Sequence, residues 1–434
     1  MRPTPLALSA ALLLAAVSSA TAGKTKLLSK GAHNQGPNLF FGRSVISANE
    51  RFIAFAGNAP GVVPDDIDLN TDVFLYDRKK KKRSRLSVPS DGGSAGGNSY
   101  HPSISADGRY IAYISSAINL PLASLNPGPD IYVHDRKLGT NELISVKWID
   151  IGGIPLPIGA NGSCFNPSIS ADGRYVTFAS FADNLANGAS SNHTNVYLHD
   201  RESNTTQLAS ANNLLQAANE SCTYPALAAD MSRLAFVSKA TNLGPPSDPD
   251  HKQVLLRDLG TGELTLGSVA MDGGAANGDC KAPVLSADGR YVAFTTNAWN
   301  LVESDLNGAE EVFVRDLKKG VTHRITLDWK GNEVAAGSFG AAISANGRYV
   351  TFMTQAALVK SDQNGDFDVY LHDIKKGKTT RISKGHKGKT PNGGSFDAAI
   401  GGKGRFIAFR SCASNLVKGD ENDIDDVFLH DRNK

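Results

Sequence analysis

Four segments of the chain combine Asp, Asn and Glu at close spacing, a composition that can bind a hard cation. They begin at Asp66, Asp305, Asp362 and Asp420. Calcium takes about six to eight oxygen ligands. The densest segment offers four candidate side chains, which are Asp362, Asn364, Asp366 and Asp368. Asp-Asn-Gly is also ordinary turn chemistry, and the spacing does not match an EF-hand loop. The pattern therefore predicts turns, with a calcium site at Asp362–Asp368 as the alternative. No other cofactor is indicated.

Three cysteines form a second group of chemically capable residues. Cys164, Cys222 and Cys280 recur every 58 residues, each in a Cys-x-x-Pro segment. Two neighbours could form a disulfide in an oxidising compartment if their Cα atoms lie within about 7 Å. A zinc site on three thiolates would need a further ligand, and no histidine lies at a suitable spacing. We expect the thiols to be unpaired or to form one disulfide.

Histidine precedes aspartate at four places along the chain. These histidines are His134, His199, His372 and His430. A catalytic base is normally a single residue, so a histidine repeated in this way predicts a structural role. The sequence also contains no Gly-x-Ser-x-Gly, zinc-protease or phosphate-loop motif. Catalysis by one of these common machineries is therefore not predicted.

All of these residues belong to a repeat that runs through the whole chain. An arginine follows an Ala-Asp-Gly turn or its equivalent at Arg51, Arg109, Arg174, Arg233, Arg290, Arg348 and Arg405. An aspartate follows each arginine 25 or 26 residues later, at Asp77, Asp135, Asp200, Asp258, Asp316, Asp373 and Asp431. The period is about 58 residues, with one step of 65 between Arg109 and Arg174. A fixed period of this size indicates a repeat architecture.

Each repeat contains four short strand patterns separated by Gly- and Asp-rich turns. The second and third patterns are apolar on both faces, as in Tyr110–Ile114 and Ile131–His134. A sheet of this kind must be covered on both sides. Seven four-stranded antiparallel sheets packed face to face around an axis satisfy that requirement. The sequence therefore predicts an all-β fold, a seven-bladed β-propeller. The arginine begins strand two and the aspartate ends strand three, so we expect an Arg–Asp pair in every blade.

The two ends of the chain complement each other. Residues 1–22 have the charged start, short apolar run and Ala-x-Ala site of a signal peptide. Residues 23–434 are then one propeller domain with no membrane span. The last repeat stops at Lys434 without a fourth strand, and residues 24–30 match the fourth strand of the preceding repeat, Lys378–Lys384. Strand 24–30 should therefore complete the last blade and close the ring, which removes an exposed sheet edge.

The longer step of the repeat reflects an apolar insertion. Its candidate contact residues are Trp148, Ile151, Ile154, Leu156 and Ile158. The Gly152-Gly153 step is compatible with a small hairpin on the face that carries the long loops. An exposed aromatic and aliphatic segment predicts a protein-binding contact. The alternative is that the segment folds over the disc and buries itself.

The repeats resemble those of TolB-like β-propellers, which are related to WD-repeat propellers. The resemblance rests on SISADGRYIAY, SISADGRYVTF and VLSADGRYVAF and on DIYVHDR and DVFLHDR, and it covers essentially the whole mature chain. It implies a propeller fold and a secreted or periplasmic location. TolB itself has a further domain before its propeller, for which this chain has no room.

These observations predict a monomeric binding scaffold that uses its long-loop face and channel mouth. The partner would be an unknown protein or a cell-envelope ligand. A net charge of +2 gives no general case for nucleic-acid binding. The alternative is a propeller enzyme, a hydrolase or lyase, with its site at the channel mouth. An enzyme would need blade-specific His, Asp, Glu or Arg where the first strands meet the channel. Those positions read mostly as Ser, Ala, Ile and Cys, which favours the scaffold.

Overall fold

The structure is a computed structural model. It describes residues 23–29, 41–58, 60–66, 68–122, 128–246, 248–420 and 424–433. The predicted signal peptide, residues 1–22, lies outside the described residues.

The described chain forms seven four-stranded antiparallel sheets and one two-stranded hairpin. It starts with β1 (Lys24–Leu27). Blade 1 contains β2 (Phe41–Ile46), β3 (Phe52–Gly57), β4 (Asp72–Asp77) and β5 (Lys82–Arg85). Blade 2 contains β6 (Ser99–Ile104), β7 (Tyr110–Ser115), β8 (Asp130–Asp135) and β9 (Thr140–Leu143). The hairpin β10 (Val146–Ile151) and β11 (Ile154–Gly159) follows. Blade 3 contains β12 (Cys164–Ile169), β13 (Tyr175–Ser180), β14 (Asn195–Asp200) and β15 (Thr205–Leu208).

The remaining blades repeat this order. Blade 4 contains β16 (Thr223–Leu227), β17 (Arg233–Ser238), β18 (Gln253–Asp258) and β19 (Leu264–Leu266). Blade 5 contains β20 (Cys280–Leu285), β21 (Tyr291–Thr296), β22 (Glu311–Asp316) and β23 (Val321–Arg324). Blade 6 contains β24 (Ser338–Ile343), β25 (Tyr349–Thr354), β26 (Asp368–Asp373) and β27 (Lys378–Arg381). After a 3-10 turn (His386–Gly388), blade 7 contains β28 (Ser395–Ile400), β29 (Phe406–Ser411) and β30 (Asp426–Asp431). No helix among the described residues is long and apolar enough to span a membrane.

The core lies between the blades, as the strand pattern predicts. All six residues of β3, and likewise of β4, are buried, because one sheet face packs on blade 7 and the other on blade 2. The described residues form seven apolar clusters, and each joins two neighbouring blades. One of these clusters joins blades 7 and 1. The protein is thus a closed seven-bladed β-propeller.

The N-terminal strand completes blade 7 in the predicted register. Strand β1 pairs antiparallel with β30, with Lys24 opposite Asp431 and Leu27 opposite Phe428. Beyond β1, the Leu28 amide donates to Val427 O at 2.7 Å. Position 30, which the sequence assigned to this strand, lies outside the described residues.

The Arg–Asp pair forms in six blades, one fewer than the repeat predicted. Arg51 shows the common geometry, with Nε 2.9 Å and Nη2 2.7 Å from the two carboxylate oxygens of Asp77. In blade 4 the prediction was wrong, because Arg233 donates instead to Gly289 O in the next blade, at 2.9 Å. The aspartate of that blade, Asp258, accepts from the amides of Gly260 and Thr261.

Candidate functional site

The central channel has two chemically different ends. At the end that faces the long loops, the first strands present a ring of unlike side chains. This channel ring consists of Arg43, His101, Asn166, Tyr224, Ala282, Gly340 and Asp397, which line a cavity of about 230 Å³. The opposite end, beside the tight turns, is lined by Ile or Leu and by small residues from every blade. Only the long-loop end therefore departs from the sevenfold repeat in its chemistry.

A backbone irregularity puts the ring residues into the channel. The strand register shifts within the first strand of all seven sheets. Six ring residues have positive φ, including His101 at 51° and Tyr224 at 52°. This left-handed conformation disfavours residues with a Cβ, by about 1–2 kcal/mol. Such bulges redirect side chains, and here the second or third residue of each first strand faces the axis.

This geometry corrects the sequence interpretation of the channel. Alternation along an ideal strand placed Ser, Ala, Ile and Cys at the channel, whereas the bulge brings charged and aromatic residues there. The signal was present in the sequence as the position that holds a different residue type in each of the seven segments, such as SYHPSI, CFNPSI and SFDAAI. The register shift that gives this position its meaning is not visible in a strand pattern.

Three charged or titratable ring residues come from three consecutive blades. Arg43 of blade 1, His101 of blade 2 and Asp397 of blade 7 also line an adjoining cavity of about 420 Å³. No described residue forms a hydrogen bond or ion pair with the Arg43 guanidinium. Desolvation by the channel wall lowers its pKa, and the nearby Asp397 opposes that effect. Solvent in the channel still reaches the side chain.

The other two residues of this group differ in their contacts. Desolvation in the channel lowers the pKa of His101 below its ordinary value, although solvent reaches the side chain; the positive charge of Arg43 acts in the same direction and Asp397 opposes it, which favours the neutral imidazole at pH 7. Asp397 Oδ2 accepts a hydrogen bond of 2.6 Å from Arg410 Nε. The Arg410 guanidinium also lies 4.6 Å from the centre of the Phe396 ring and pairs with Asp425. Asp397 is therefore held in place by Arg410, whereas the positive charge of Arg43 is not paired with any described residue.

The three repeated cysteines do not face the channel. Cys164, Cys222 and Cys280 are fully buried, and each belongs to a different apolar cluster. All four cysteines of the chain are unpaired. Burial raises the pKa of Cys164 and Cys222 to about 12. As the first residue of its segment, each cysteine points between blades, two positions before the residue that faces the channel.

The repeated histidines have the structural position that the sequence predicted. His199 Nδ1 lies 2.9 Å from Thr206 Oγ1, and His372 Nδ1 lies 2.9 Å from Thr379 Oγ1. In both cases the contact joins strands three and four of one blade. Burial lowers the pKa of both histidines to about 4. These side chains are remote from the channel ring.

The predicted calcium residues of blade 6 surround an arginine. Arg381 Nη1 lies 2.9 Å from Asp362 Oδ1 and 3.2 Å from Asp368 Oδ2. The guanidinium occupies the place where a cation would neutralise this pair. Asn364 is half-buried. Among the described residues, Asp366 does not lie close enough to Asp362 and Asp368 for the three carboxylates to hold one metal ion together. Calcium binding in this loop stays a prediction.

The apolar insertion forms a hairpin, in agreement with its Gly-Gly step. Strands β10 and β11 pair from Val146–Gly159 to Ile151–Ile154. The tip is exposed, with Ile151 at 56% and Ile154 at 65%, while Trp148 packs against the cluster between blades 1 and 2. Leu156 and Ile158 are also more than two-fifths exposed. The base of the hairpin is anchored and its tip is available for contact.

Comparison with known proteins supports the fold. No family model matches the sequence, and no curated protein matches it. The β-propeller domain of the Trilobed protease from Pyrococcus furiosus, which has an open velcro topology, is 13% identical with a TM-score of 0.56; the match covers 92% of this chain and 95% of that one. An oligogalacturonate lyase in complex with manganese is 11% identical over 95% of this chain and 94% of that one, with a TM-score of 0.55.

A putative TolB from Agrobacterium tumefaciens is also similar, with 16% identity, coverage of 71% of this chain and 87% of that one, and a TM-score of 0.42. Identities this low establish architecture and do not assign an activity. In fold the chain is a seven-bladed β-propeller, which is the architecture that its resemblance to TolB-like repeats implied.

Proposed function

We propose that this protein is a binding propeller that holds a carboxylate-bearing small molecule at the long-loop mouth of its channel. The observation that carries the proposal is the guanidinium of Arg43, which forms no hydrogen bond or ion pair with any described residue and lies in a channel that solvent reaches. Arginine matches a planar carboxylate with two parallel hydrogen bonds. Partial desolvation at the channel wall strengthens such a pair relative to one on an open surface.

The neighbouring ring residues define what else the ligand should contain. Neutral His101 can donate or accept one hydrogen bond, and the fixed carboxylate of Asp397 accepts from a hydroxyl or an amine. Tyr224 is 44% exposed and offers an aromatic face. A hydroxy acid, a sugar acid or an amino acid meets these requirements. The oligogalacturonate lyase that shares this fold is named for an acidic sugar substrate, which fits the same chemistry.

The hairpin supports a second contact on the same face. Its apolar tip, from Ile151 to Ile154, stands beside the long loops and suits a protein partner. The partner is then a protein or a cell-envelope ligand, and the protein works as a monomer in a secreted or periplasmic compartment. Thiols with raised pKa values, fully buried between blades, resist oxidation there.

A thermal-shift screen with small carboxylic acids tests the proposal. The acid that stabilises the wild-type protein should fail to stabilise Arg43→Gln, because the amide provides no charge. Lys281→Gln is the matched control, since Lys281 belongs to the same group of first strands and its charge already pairs with Glu310. If no acid raises the melting temperature, or if Arg43→Gln responds like the wild type, the proposal fails.

A propeller enzyme at the same mouth is the second candidate. The observation that favours it is the convergence of Arg43, His101 and Asp397 at the channel, because the sequence analysis required blade-specific charged or titratable residues there for an enzyme. The stabilising acid, or its esters and glycosides, should then be converted by the wild type and not by His101→Gln. If the wild type binds the acid without converting it or its esters and glycosides, the enzyme is excluded and the binding protein remains.

A further inference from the structure

Three carboxylates meet in the loop between β3 and β4 of blade 1. Oxygen atoms of Asp66, Asp68 and Asp72 lie within 4.8 Å of one another, and the described residues contain no other such group of three acidic, His or Cys side chains. The loop lies on the long-loop face, and none of the three carboxylates belongs to the channel ring. The sequence had favoured the corresponding loop of blade 6.

Two oxygen atoms of this cluster, Asp66 Oδ1 and Asp68 Oδ2, have no hydrogen-bond partner among the described residues. Asp66 is only 3% exposed, and no described donor reaches its Oδ1 within hydrogen-bond distance. Arg85 Nη1 is 3.7 Å away, which is an ion pair but too long for a hydrogen bond. Buried polar atoms without a protein partner are rare, and such atoms often contact a bound ion or an ordered water molecule. The Asp66 oxygen therefore points to a ligand in the cluster.

Blade 6 shows how a carboxylate at the position of Asp66 is satisfied by protein atoms. There Asp362 occupies the position of Asp66, and it accepts hydrogen bonds from both Arg381 and the Tyr370 hydroxyl. Two substitutions distinguish blade 1. Phe74 stands where blade 6 has Tyr370, which removes the hydroxyl donor, and Asp68 stands where blade 6 has Asn364, which adds a negative charge. Blade 1 therefore has one hydrogen-bond donor fewer and one negative charge more than blade 6 at this place.

The electrostatics of the cluster agree with this difference. Arg85 can neutralise only one of the three carboxylates. Three carboxylates, one guanidinium and one divalent cation together carry no net charge.

We propose that Asp66, Asp68 and Asp72 form a calcium site that stabilises the long loop of blade 1. The donors are all carboxylate oxygens. Hard cations such as calcium prefer these donors to sulfur or nitrogen. Asp68 is half-buried at the rim of the cluster, so solvent water completes the coordination shell. In the other blades that carry such a loop, an amide takes the place of Asp68, as Asn307 and Asn364 do.

Calcium titration of the chelator-treated full-length mature protein tests the site. Isothermal titration with CaCl₂ should give one site per chain, and calcium should raise the melting temperature above that in EDTA. Asp68→Asn, which copies blade 6, should weaken calcium binding by at least about tenfold, the loss typical even of outer-shell changes. In EDTA the same variant should melt above the wild type because it removes a repulsion, so the order of stability reverses with calcium.

Two further variants separate this site from other acidic loops. Asp65→Asn removes an exposed acid of the same loop and should bind calcium like the wild type. Phe74→Tyr supplies the missing hydroxyl to Asp66 and should raise stability in EDTA more than in calcium. The proposal is overturned if the wild type shows no calcium-dependent change, or if Asp68→Asn binds calcium as tightly as the wild type. Magnesium in place of CaCl₂ shows whether the site selects the larger ion.

Discussion

The Oγ1 atom of Thr25 lies 3.0 Å from Nδ1 of His430, although 405 residues separate them in sequence. The same contact joins Thr379 and His372 within blade 6, where the two residues are seven apart and 2.9 Å from each other. The N-terminal strand thus reproduces in blade 7 the side-chain contact that a continuous chain makes in blade 6. Ring closure therefore relies on the same contact between the third and fourth strands that is present within blade 6.

The closure predicts different consequences for two equivalent leucines. Leu28 donates its amide to Val427 O at 2.7 Å, and Leu86 donates to Val73 O at 2.8 Å in blade 1. Both side chains are at most 2% exposed. Replacing either by Ala should lower the free energy of unfolding by about 2–5 kcal/mol. Only Leu28→Ala weakens the strand that covers β30, so only that variant should self-associate through an open edge.

Urea denaturation and analytical ultracentrifugation check both statements. Leu86→Ala controls for the loss of core packing without a change at the closure. Equal self-association by the two variants would show that β1 does not protect the edge of blade 7.

The repeat period made the fold, the blade number and the closing strand predictable, because each depends on residues that recur. The exceptions were not predictable in this way. Arg233 breaks the Arg–Asp pattern through a contact with the next blade. His101 and its ring partners reach the channel through a register shift that strand alternation does not show. The carboxylates of Asp66 and Asp362 occur in similar segments, and their different distances from Arg85 and Arg381 appear only in the structure.

A glutamate of blade 1 supplies the carboxylate that the tight turn of blade 7 lacks. In blade 2, Asp107 Oδ1 accepts from the Arg109 amide at 2.8 Å. Blade 7 has Lys403 at that place, and Glu50 Oε1 instead accepts from the amides of Lys403 and Arg405, at 3.1 and 3.2 Å. Glu50→Ala should therefore lower the free energy of unfolding by about 1–3 kcal/mol, since two amides near a buried side chain lose their acceptor.

A second substitution isolates this role of Glu50. Lys403→Asp restores the turn residue of the other blades, so it should recover most of the stability lost in Glu50→Ala when the two are combined. Chemical denaturation of the four variants of this double-mutant cycle measures the coupling. Additive effects would show that Glu50 acts through other contacts.

Gly173 is required by a neighbouring blade as well as by its own turn. It has a φ of 78°, and an added Cβ would overlap the ring of Tyr110. That ring cannot easily move, because the guanidinium carbons of Arg109 and Arg201 lie 4.6 and 4.5 Å from its centre. Gly139 has a similar φ of 71°, but nothing lies within 4 Å of its added Cβ.

Replacing each of these glycines by Ala therefore separates strain from packing. Gly139→Ala should cost about 1–2 kcal/mol through the left-handed backbone alone. Gly173→Ala should cost a further 1–3 kcal/mol or so, because overpacking displaces the ring and its two arginines. Urea denaturation measures the difference between the variants. A difference near zero would mean that the blades adjust to the extra methyl group without loss.

Acidification should weaken the closure through His430. Burial, together with the charges of Lys384 and Arg432, lowers the pKa of His430 to about 4. In the unfolded chain a histidine has a pKa of about 6.5. Between these two values the unfolded state binds more protons than the folded state, so the free energy of unfolding falls as the pH falls. The full stabilisation is present above about pH 6.5, and its maximal loss near pH 4 is about 3 kcal/mol, from about 1.4 kcal/mol per pKa unit.

His430→Gln isolates this contribution from that of the buried carboxylates. Their raised pKa values change the free energy of unfolding with pH in the opposite direction. For example, burial raises the pKa of Glu311 to about 7. The free energy of unfolding of the wild type, measured by urea denaturation at several pH values, should decline relative to that of the variant between pH 7 and pH 4.5. His372→Gln, whose histidine is buried in the same way in blade 6, should give a similar difference. In acid, the wild type and His372→Gln should both self-associate, and His430→Gln should do so less, because only protonation of His430 disrupts the contact with Thr25 and frees the edge of blade 7. A constant difference between wild type and His430→Gln across this range would exclude the histidine as the acid-sensitive part of the closure.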